Sequence, residues 1–369
     1  MTAVPFADLK AHASAIRAEI DAALARVLES GRFILGPEVE AFEGELAERL
    51  GAREAVAVGN GTEAIQLALE TLGIGPGDEV VTSPLTAAFT ALAVLRAGAR
   101  PVFADLDPTT LNVSPEAVAR AVTPRTKAFL PVHLYGHPAD LEPLLALARE
   151  RRITVVEDAC QAHGALYRGR PVGALSGIGA LSFYPTKNLG AFGDGGAVLV
   201  NDPELASRLR KLRNGGQSDR YRHELPGMNS RLDEMQAAIL RVKLRRLSAW
   251  NERRRALAAF YSQELAGGGV VLPQEQPYAR AVYHLYVVRH PRRDALAAAL
   301  GERGIGTLIH YPIPLHLQPA FASLGGRAGD FPAAEGAAAE ILSLPLYPEL
   351  TDEQAQAVAA AVRELAGRV

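Results

Sequence analysis

The sequence contains very little cysteine and no long apolar run. Its 369 residues include one cysteine, Cys160, so an internal disulfide framework is excluded. No segment approaches the roughly 20 consecutive apolar residues that a membrane-spanning helix needs. The N-terminal segment carries charged residues and lacks the apolar core of a secretory signal. From these absences we expect a cytoplasmic protein without membrane contact.

An excess of charge of one sign is also missing. The chain has 39 Lys and Arg against 41 Asp and Glu, and its net charge of −2 gives no electrostatic reason to expect nucleic acid as a partner. The basic run over residues 241–255 is interrupted by apolar residues at helical spacing, which is typical of a solvated helix face. No group of Cys and His has the spacing of metal ligands, so we expect no metal site.

Short apolar segments alternate with helical segments between about residues 55 and 202. The predicted strands begin at Glu54, Glu79, Arg100, Lys127, Thr154, Gly179 and Gly196. Near-continuous apolar strands separated by helices predict an α/β fold whose mostly parallel sheet is covered on both faces. In such folds ligands bind just beyond the carboxyl ends of the strands.

The last third of the chain has a different pattern. One long helix is predicted from about residue 230 to 265, and strand-like and helical segments follow it. We therefore predict a large domain over residues 1–245, which includes the N-terminal segment, and a small C-terminal α+β domain over residues 246–369.

The segment GNGTEA at 59–64 follows a predicted strand and opens a helix. A helix start offers unpaired amides and a partial positive charge, which suits a phosphate. Ordinary capping by Asn60 and a dinucleotide site are the alternatives, since Gly59, Gly61 and Ala64 have the required spacing. The next strand ends in Thr-Ser-Pro without the acid that a ribose needs, which disfavours the dinucleotide site.

An acid and a lysine follow two later strands. Asp158 ends an apolar strand, where it either caps the following turn or holds a buried partner. Lys187 comes 29 residues later (187 − 158), within SFYPTKNLGAFGDGGA, and Ser182 opens that segment. Together with the helix start at Gly61, these residues match what pyridoxal phosphate (PLP) requires. That cofactor needs an amine for a Schiff base, a carboxylate for its ring nitrogen, and amides and hydroxyls for its phosphate.

Over nearly its whole length the sequence resembles the DegT-type sugar aminotransferases, which belong to the fold type I PLP enzymes. The resemblance covers GRFILGPEVEAFE (31–43), GNGTEAIQLAL (59–69), EDACQAHGA (157–165), SFYPTKNLGAFGDGGA (182–197), GMNSRLDEMQAAIL (227–240), HYPIPLHLQPAF (310–321) and LSLPLYPELT (342–351). The SFYPTKNLG…GDGG block and its spacing to EDA are the most specific part. The resemblance implies the type I PLP-transferase fold.

The resemblance also implies roles for residues at matching positions around the cofactor. Lys187 would form the Schiff base, Asp158 would pair with the pyridine nitrogen, and Gln161 would contact the side of the ring hydroxyl. The phosphate would be held by three residues, Gly61, Thr62 and Ser182.

Further matching positions imply a second subunit and a substrate region. Asn229 resembles a residue that reaches the phosphate from the neighbouring subunit, so the resemblance implies a homodimer with its active site at the subunit interface. Arg231, Tyr311 and His316 would lie near the substrate. For His316, and more so for His163, a hydrogen-bonded structural role is the alternative.

One position departs from the family. An aromatic residue usually stacks on the cofactor ring in the segment that matches SPLTAAFTALA, and this chain has Ala87 there. Phe89 lies two residues further on. Cys160 replaces the usual alanine of EDAAQAHG, and we expect it to be a small packing residue.

The implied reaction is a transamination. An amino group would pass from an amino acid, glutamate or glutamine, to a keto group of a nucleotide-linked deoxysugar. Lys187 would carry the proton, for which the pKa of its amine must lie below the free value. The alternatives are a keto-cyclitol acceptor, a PLP-dependent sugar dehydratase, which Lys187 disfavours, and a non-catalytic regulator that retains the fold.

Overall fold

The structure is a computed structural model, and it describes residues 3–369. The strands are β1 (Glu54–Val58), β2 (Glu79–Thr82), β3 (Arg100–Phe103), β4 (Thr126–Leu130), β5 (Thr154–Val155), β6 (Glu157–Asp158), β7 (Leu166–Tyr167), β8 (Arg170–Pro171), β9 (Ile178–Ser182), β10 (Gly196–Val200), β11 (Gln217–Asp219), β12 (Arg222–His223), β13 (Ala279–Arg280), β14 (Tyr286–Arg289) and β15 (Ile341–Leu344).

The helices are α1 (Leu9–Ala15), α2 (Arg17–Ser30), α3 (Pro37–Leu50), α4 (Gly61–Thr71), α5 (Ala88–Arg96), α6 (Pro115–Ala121), α7 (Leu141–Arg151), α8 (Pro203–Leu212), α9 (Glu234–Leu244), α10 (Leu247–Glu264), α11 (Arg293–Glu302), α12 (Pro332–Glu340) and α13 (Asp352–Ala366). Short 3₁₀ turns occur at Leu134–Gly136, Leu315–Leu317 and Pro319–Leu324. None of the helices among residues 3–369 is both long and apolar enough to cross a membrane.

A twisted sheet forms the centre of the larger part of the molecule. Two four-stranded ladders, β3-β2-β4-β5 and β1-β10-β9-β6, continue into each other because Asp158 pairs in parallel with Val132, just beyond β4. All pairs are parallel except those that β10 makes with β1 and β9. The predicted strands and the mostly parallel, mixed sheet are confirmed.

Helices cover both faces of this sheet because its strands are apolar on both sides. Adjacent residues of β10 point in opposite directions. Leu199 packs in a cluster with Phe42 of α3, whereas Val198 packs in the opposite cluster with Ile65 of α4. The sheet is therefore buried between two helical layers.

The C-terminal part forms a core of its own around the antiparallel pair β14–β15. Val4 pairs with Ile305 in this region, so the N-terminal segment also contacts the C-terminal part. The division of the chain into residues 1–245 and 246–369 stays a prediction.

The single long helix predicted over about residues 230–265 is wrong. Helix α9 ends at Leu244 and α10 begins at Leu247, and a tight turn from Arg246 N to the carbonyl oxygen of Lys243 separates them. The break lets α9 pack beside the sheet while Leu257 of α10 enters the C-terminal core.

Candidate active site

A cavity of about 580 Å³ lies at the carboxyl edge of the parallel strands. The chain leaves β1 just before Gly61, β6 ends at Asp158 and β9 ends at Ser182, so the three meet at one edge. The cavity is lined by seven of the residues predicted from the sequence, Gly61, Thr62, Asp158, Gln161, Ser182, Lys187 and Tyr311. Its size is that of an ordinary small-molecule site.

The start of α4 forms one wall of the cavity. Asn60 caps the helix by accepting a hydrogen bond from Glu63 N at 2.9 Å, so the capping alternative is confirmed. The N–H groups of Gly61 and Thr62 bond to no acceptor among residues 3–369. A Cβ on Gly61 would lie 2.6 Å from Cβ of Ser182, so the serine side chain packs closely against Gly61. This corner suits a phosphate as well.

The Asp158 carboxylate lies at the cavity with neutral partners. It is 3% exposed; Oδ2 accepts a hydrogen bond from the Thr90 hydroxyl at 2.8 Å, and Oδ1 accepts one from Cys160 N at 3.2 Å. The second bond is the turn cap that the sequence offered as an alternative. Within residues 3–369 no Arg or Lys forms an ion pair with this carboxylate, so a cation in the cavity would stabilise it.

The Lys187 amine faces the same cavity. Burial lowers its pKa below the ordinary lysine value, and the nearby Cys160 and Asp158 partly oppose this effect. Nζ lies 3.5 Å from Nε2 of His284, whose own pKa burial holds well below the usual histidine range. The amine therefore gives up its proton more readily than a solvated lysine does.

Gln161 is held from two sides. Its Oε1 accepts a hydrogen bond from Tyr135 N at 2.8 Å, and its Nε2 donates to the Tyr311 hydroxyl oxygen at 3.3 Å. Burial, together with the charge of Asp158, raises the pKa of Tyr311, so its phenol stays protonated at neutral pH. The pair offers a fixed amide and a hydroxyl to a ligand.

The cavity also contains residues that sequence reasoning missed. Thr90 lies in the SPLTAAFTALA segment, shortly after the end of β2. This position near the carboxyl edge of the sheet was the available signal that Thr90 could reach the cavity. His284, His310 and Tyr184 also line the cavity, and the first two come from a distant part of the chain. Tyr184 and His310 lie in two of the segments that carry the family resemblance, whereas no local pattern indicated His284.

The position that departs from the family borders the cavity. Ala87 precedes α5, and Phe89 lies on its first turn with a 62% exposed side chain. Cys160 behaves as a small packing residue, because burial raises the pKa of its thiol and Sγ faces the carbonyl oxygen of Ala180 at 3.7 Å.

Three predicted residues do not line this cavity within one chain. Asn229 is exposed, and Arg231 donates from Nη1 to Oδ1 of Asn214 at 2.9 Å. His316 is 2% exposed, and its Nε2 lies 3.0 Å from Oε1 of Glu335. Their roles stay predictions.

His163 is fully buried beside the cavity. Its ring lies 5.9 Å from that of Phe183, and burial, aided by the charge of Lys187, lowers the pKa of His163 to about 3. The ring is neutral, but neither of its nitrogens has a hydrogen-bond partner among residues 3–369, so the hydrogen-bonded structural role stays a prediction.

The residues present fit PLP. Free amides at Gly61 and Thr62 with the Ser182 hydroxyl suit its phosphate, and the Asp158 carboxylate suits its protonated ring nitrogen. The lysine amine faces the same cavity, where it could form the Schiff base. The described residues contain no cluster of side chains that could hold a metal ion.

Comparison with known proteins agrees with this geometry. Residues 14–363 match the sequence model of the DegT/DnrJ/EryC1/StrS aminotransferase family. A relative from Streptomyces venezuelae, a dTDP-3-amino-3,4,6-trideoxy-alpha-D-glucose transaminase, is 54% identical over 99% of this chain and 97% of its own length.

Two solved structures have the same fold. The crystal structure of S. venezuelae DesV in complex with a ketimine intermediate superposes with a TM-score of 0.98, at 54% identity and full coverage of both chains. The structure of NtdA from Bacillus subtilis with bound cofactor PMP, the amine form of PLP, gives a TM-score of 0.93 at 32% identity. The match covers 100% of this chain and 86% of NtdA.

Proposed function

The chain belongs to the DegT/DnrJ/EryC1/StrS aminotransferase family, whose enzymes use PLP, and we propose that it aminates a nucleotide-linked keto-deoxysugar. The observation that carries the proposal is the convergence of the lysine, the carboxylate and the helix start on one cavity. The relative from S. venezuelae, which carries a dTDP-linked aminodeoxysugar in its name, supports this acceptor class. The amino donor is glutamate or glutamine.

The proposed cofactor contacts follow from the cavity. The Gly61 and Thr62 amides and the Ser182 hydroxyl hold the phosphate, Asp158 holds a proton at the ring nitrogen, and Gln161 contacts the ring hydroxyl side. When bound, PLP supplies a ring that draws electrons from the substrate carbon. The residues of the chain bind and orient it.

Lys187 is the proposed base. Its Nζ attaches the cofactor and, once free, takes and returns the proton at the substrate carbon. The lowered pKa of Lys187 supports this role, because more of the amine is neutral near pH 7. Tyr311 lies beside Gln161 and is proposed to donate its hydroxyl proton in a hydrogen bond to the sugar.

We propose a homodimer with shared sites. Asn229 is exposed and outside the cavity of its own chain, so it is free to reach the phosphate in a second subunit. Phe33 and Ile34 are 48% and 43% exposed, and a second copy would cover this apolar surface. Arg231 is proposed to act near the substrate. The substrate role of His316 stays a prediction. The cytoplasmic location of the protein also stays a prediction.

The first test is spectroscopic. Purified protein with PLP is expected to show an absorption band at the violet end of the visible spectrum. Addition of glutamate or glutamine is expected to remove that band. Lys187→Ala is expected to abolish turnover, whereas the matched control Lys10→Ala, on the exposed face of α1, keeps it. A protein that ignores both PLP and amino donors would overturn the proposal.

The second test separates the acceptors. Nucleotide-linked keto-sugars and keto-cyclitols are supplied with glutamate, and the amine product is detected by mass. Turnover of the nucleotide-linked ketone supports the proposal. Turnover of the cyclitol alone would replace it with the alternative acceptor.

A further inference from the structure

A buried histidine with an unsatisfied ring nitrogen contacts the lysine of the cavity. His284 is 7% exposed, and its Nε2 lies 3.5 Å from Nζ of Lys187. Its Nδ1 is buried and has no hydrogen-bond partner in the part of the chain that the structure describes. A buried polar atom without a partner costs free energy, and the contact of Nε2 with Lys187 is the one polar contact of this ring in the described chain that could offset that cost.

The main chain around this ring is fixed independently of the ring. Nη1 of Arg254 lies 3.4 Å from the carbonyl oxygen of His284. Asn188, which follows Lys187, donates from Nδ2 to the carbonyl oxygen of Val282 at 3.0 Å. Both bonds leave the imidazole untouched. These bonds hold in place the main chain that carries the ring.

The charges that face this pair come from several elements. The groups around His284 are the side chains of Lys187, Arg254, His310 and His163. Asp158 and Cys160 face the lysine from β6 and from the residues that follow it. Burial first, and then the cations, keep the pKa of His284 well below its ordinary value, so the imidazole is neutral. A neutral imidazole has one nitrogen that accepts a hydrogen bond.

We propose that His284 is a positioning residue for Lys187, whose Nζ donates a hydrogen bond to Nε2 of the imidazole. Both the ammonium and the neutral amine have an N–H to donate. In the neutral amine this bond turns the nitrogen lone pair away from His284 and toward the open cavity. The inference rests on the proposed function in one respect, namely that Lys187 is the reacting amine.

The contact predicts how the lysine responds to pH. An acceptor next to the ammonium stabilises the charged form, so its removal lowers the pKa of Lys187. Because the imidazole is neutral, a neutral replacement changes the hydrogen bond without changing the charge. The variants His284→Phe and His284→Asn remove the acceptor at Nε2. In His284→Gln the amide oxygen reaches about as far as Nε2 and restores it.

The test measures the reactivity of Lys187 directly. Wild type and the three variants are acetylated with acetic anhydride across a pH series, and the peptide that contains Lys187 is quantified by mass spectrometry. Lys10, on the exposed face of α1, serves as the internal reference. The series is run on protein loaded with pyridoxamine phosphate, where Lys187 is free, and on protein without added cofactor. Thermal melting of each variant checks folding.

We expect the labelling midpoint of Lys187 to fall by about 0.5–1 pH unit in His284→Phe and His284→Asn, as the loss of one hydrogen bond implies. His284→Gln is expected to stay near wild type, and Lys10 to be unchanged throughout. If His284→Phe does not fold, the comparison of His284→Asn with His284→Gln tests the inference. The inference would be overturned if all variants had the wild-type labelling midpoint of Lys187. It would also be overturned if the midpoint of His284→Gln fell as far as that of His284→Asn.

The two proposals fail in different ways. The contact between His284 and Lys187 joins two side chains of this chain and needs no cofactor atom, so the labelling of cofactor-free protein tests it separately. Protein that shows the midpoint shift but never binds PLP would contradict the proposed function and leave the positioning contact supported.

Discussion

At the residue scale, burial and charge act in opposite directions on Lys187. Burial lowers the pKa of its amine, whereas the Asp158 carboxylate raises it. Among residues 3–369, the hydrogen-bond donors to this carboxylate are the Thr90 hydroxyl and the Cys160 amide, both of them neutral. A cationic ring nitrogen that binds Asp158 would compensate the charge of the carboxylate. The carboxylate would then raise the pKa of Lys187 less. Cofactor binding and release of the lysine proton are thus expected to be coupled.

Ala87 offers the cofactor no aromatic face. Ala87→Phe is expected to lower the dissociation constant for PLP by roughly 2- to 10-fold, since an aromatic stack contributes about 0.5–1.5 kcal/mol. Fluorescence titration of the cofactor-free protein measures this constant. Ala87→Val is the matched control, because it adds bulk without a ring. A Phe variant that binds PLP more weakly than the Val variant would contradict the expectation.

At the scale of elements, a buried network supports the strand that carries Asp158. Glu157 points to the opposite face and accepts hydrogen bonds from Gly173 N at 2.7 Å and Ser176 N at 2.8 Å. Ala139 N donates to Nδ1 of His133, so Nε2 carries the proton and donates to the carboxylate at 3.1 Å. The carboxylate anchors β6 to the chain before β9.

This network makes stability depend on pH. Burial raises the pKa of Glu157 in the folded state. The hydrogen bonds from His133, Gly173 and Ser176 together have the larger effect and lower it. Its contribution is therefore complete above the unfolded pKa of about 4.3 and is lost as pH falls through the lower folded value.

Glu157→Gln is expected to cost about 1–3 kcal/mol in free energy of unfolding at pH 7, because the amide cannot accept every bond. The deficit should shrink as the pH falls below the unfolded pKa of about 4.3, because the unfolded wild-type chain then takes up a proton that the folded carboxylate resists. Urea denaturation at several pH values measures it, with the exposed Glu29→Gln as the control. A deficit that does not change with pH would refute this account.

The glycine-rich loop after Lys187 needs glycine for close approach. A Cβ on Gly190 would lie 2.4 Å from the carbonyl oxygen of Pro185, although Gly190 does not have positive φ. Gly190→Ala is expected to destabilise the fold by about 1–3 kcal/mol and to reduce activity, because the loop must move.

Gly44 gives a matched control for this substitution. It lies within α3, and a Cβ there meets nothing within 4 Å, so Gly44→Ala is expected to stabilise the protein by about 1 kcal/mol. Thermal or urea unfolding compares the two variants. Equal effects of the two substitutions would show that the close contact with Pro185 is unimportant.

At the scale of the whole molecule, the proposed shared site predicts complementation. In a homodimer Lys187 of one subunit works with Asn229 of the other, so Lys187→Ala and Asn229→Ala are each expected to lose most activity. Refolded together, half of the dimers would be mixed, and each would contain one intact site. Recovery of about a quarter of wild-type activity is expected from this symmetry. No recovery in dimers verified as mixed would contradict the shared site.

The sequence predicted the parts of the site that follow from strand topology. Asp158 ends β6, Ser182 ends β9 and Gly61 comes soon after β1. These three strands run in the same direction, so their carboxyl ends meet at one edge. His284 could not be predicted in this way, because it is 97 residues from Lys187 and no strand rule brings them together.

Other features depend on packing that the pattern does not encode. Apolar residues continue at helical spacing through Arg245 and Arg246, so the break between α9 and α10 leaves no local signal. Asn229 and His316 match the family by position, yet one chain does not bring them to the cavity. Their proposed roles would require a second subunit or a bound substrate, and they stay predictions.

The central claim is that Lys187 binds the cofactor covalently, and borohydride reduction tests it most directly. Protein loaded with PLP is reduced, digested and mapped by mass spectrometry. The account predicts a single phosphopyridoxyl group on the peptide that contains Lys187, and none on Lys187→Ala. A group on another lysine, such as the buried Lys243, or no group at all, would contradict it.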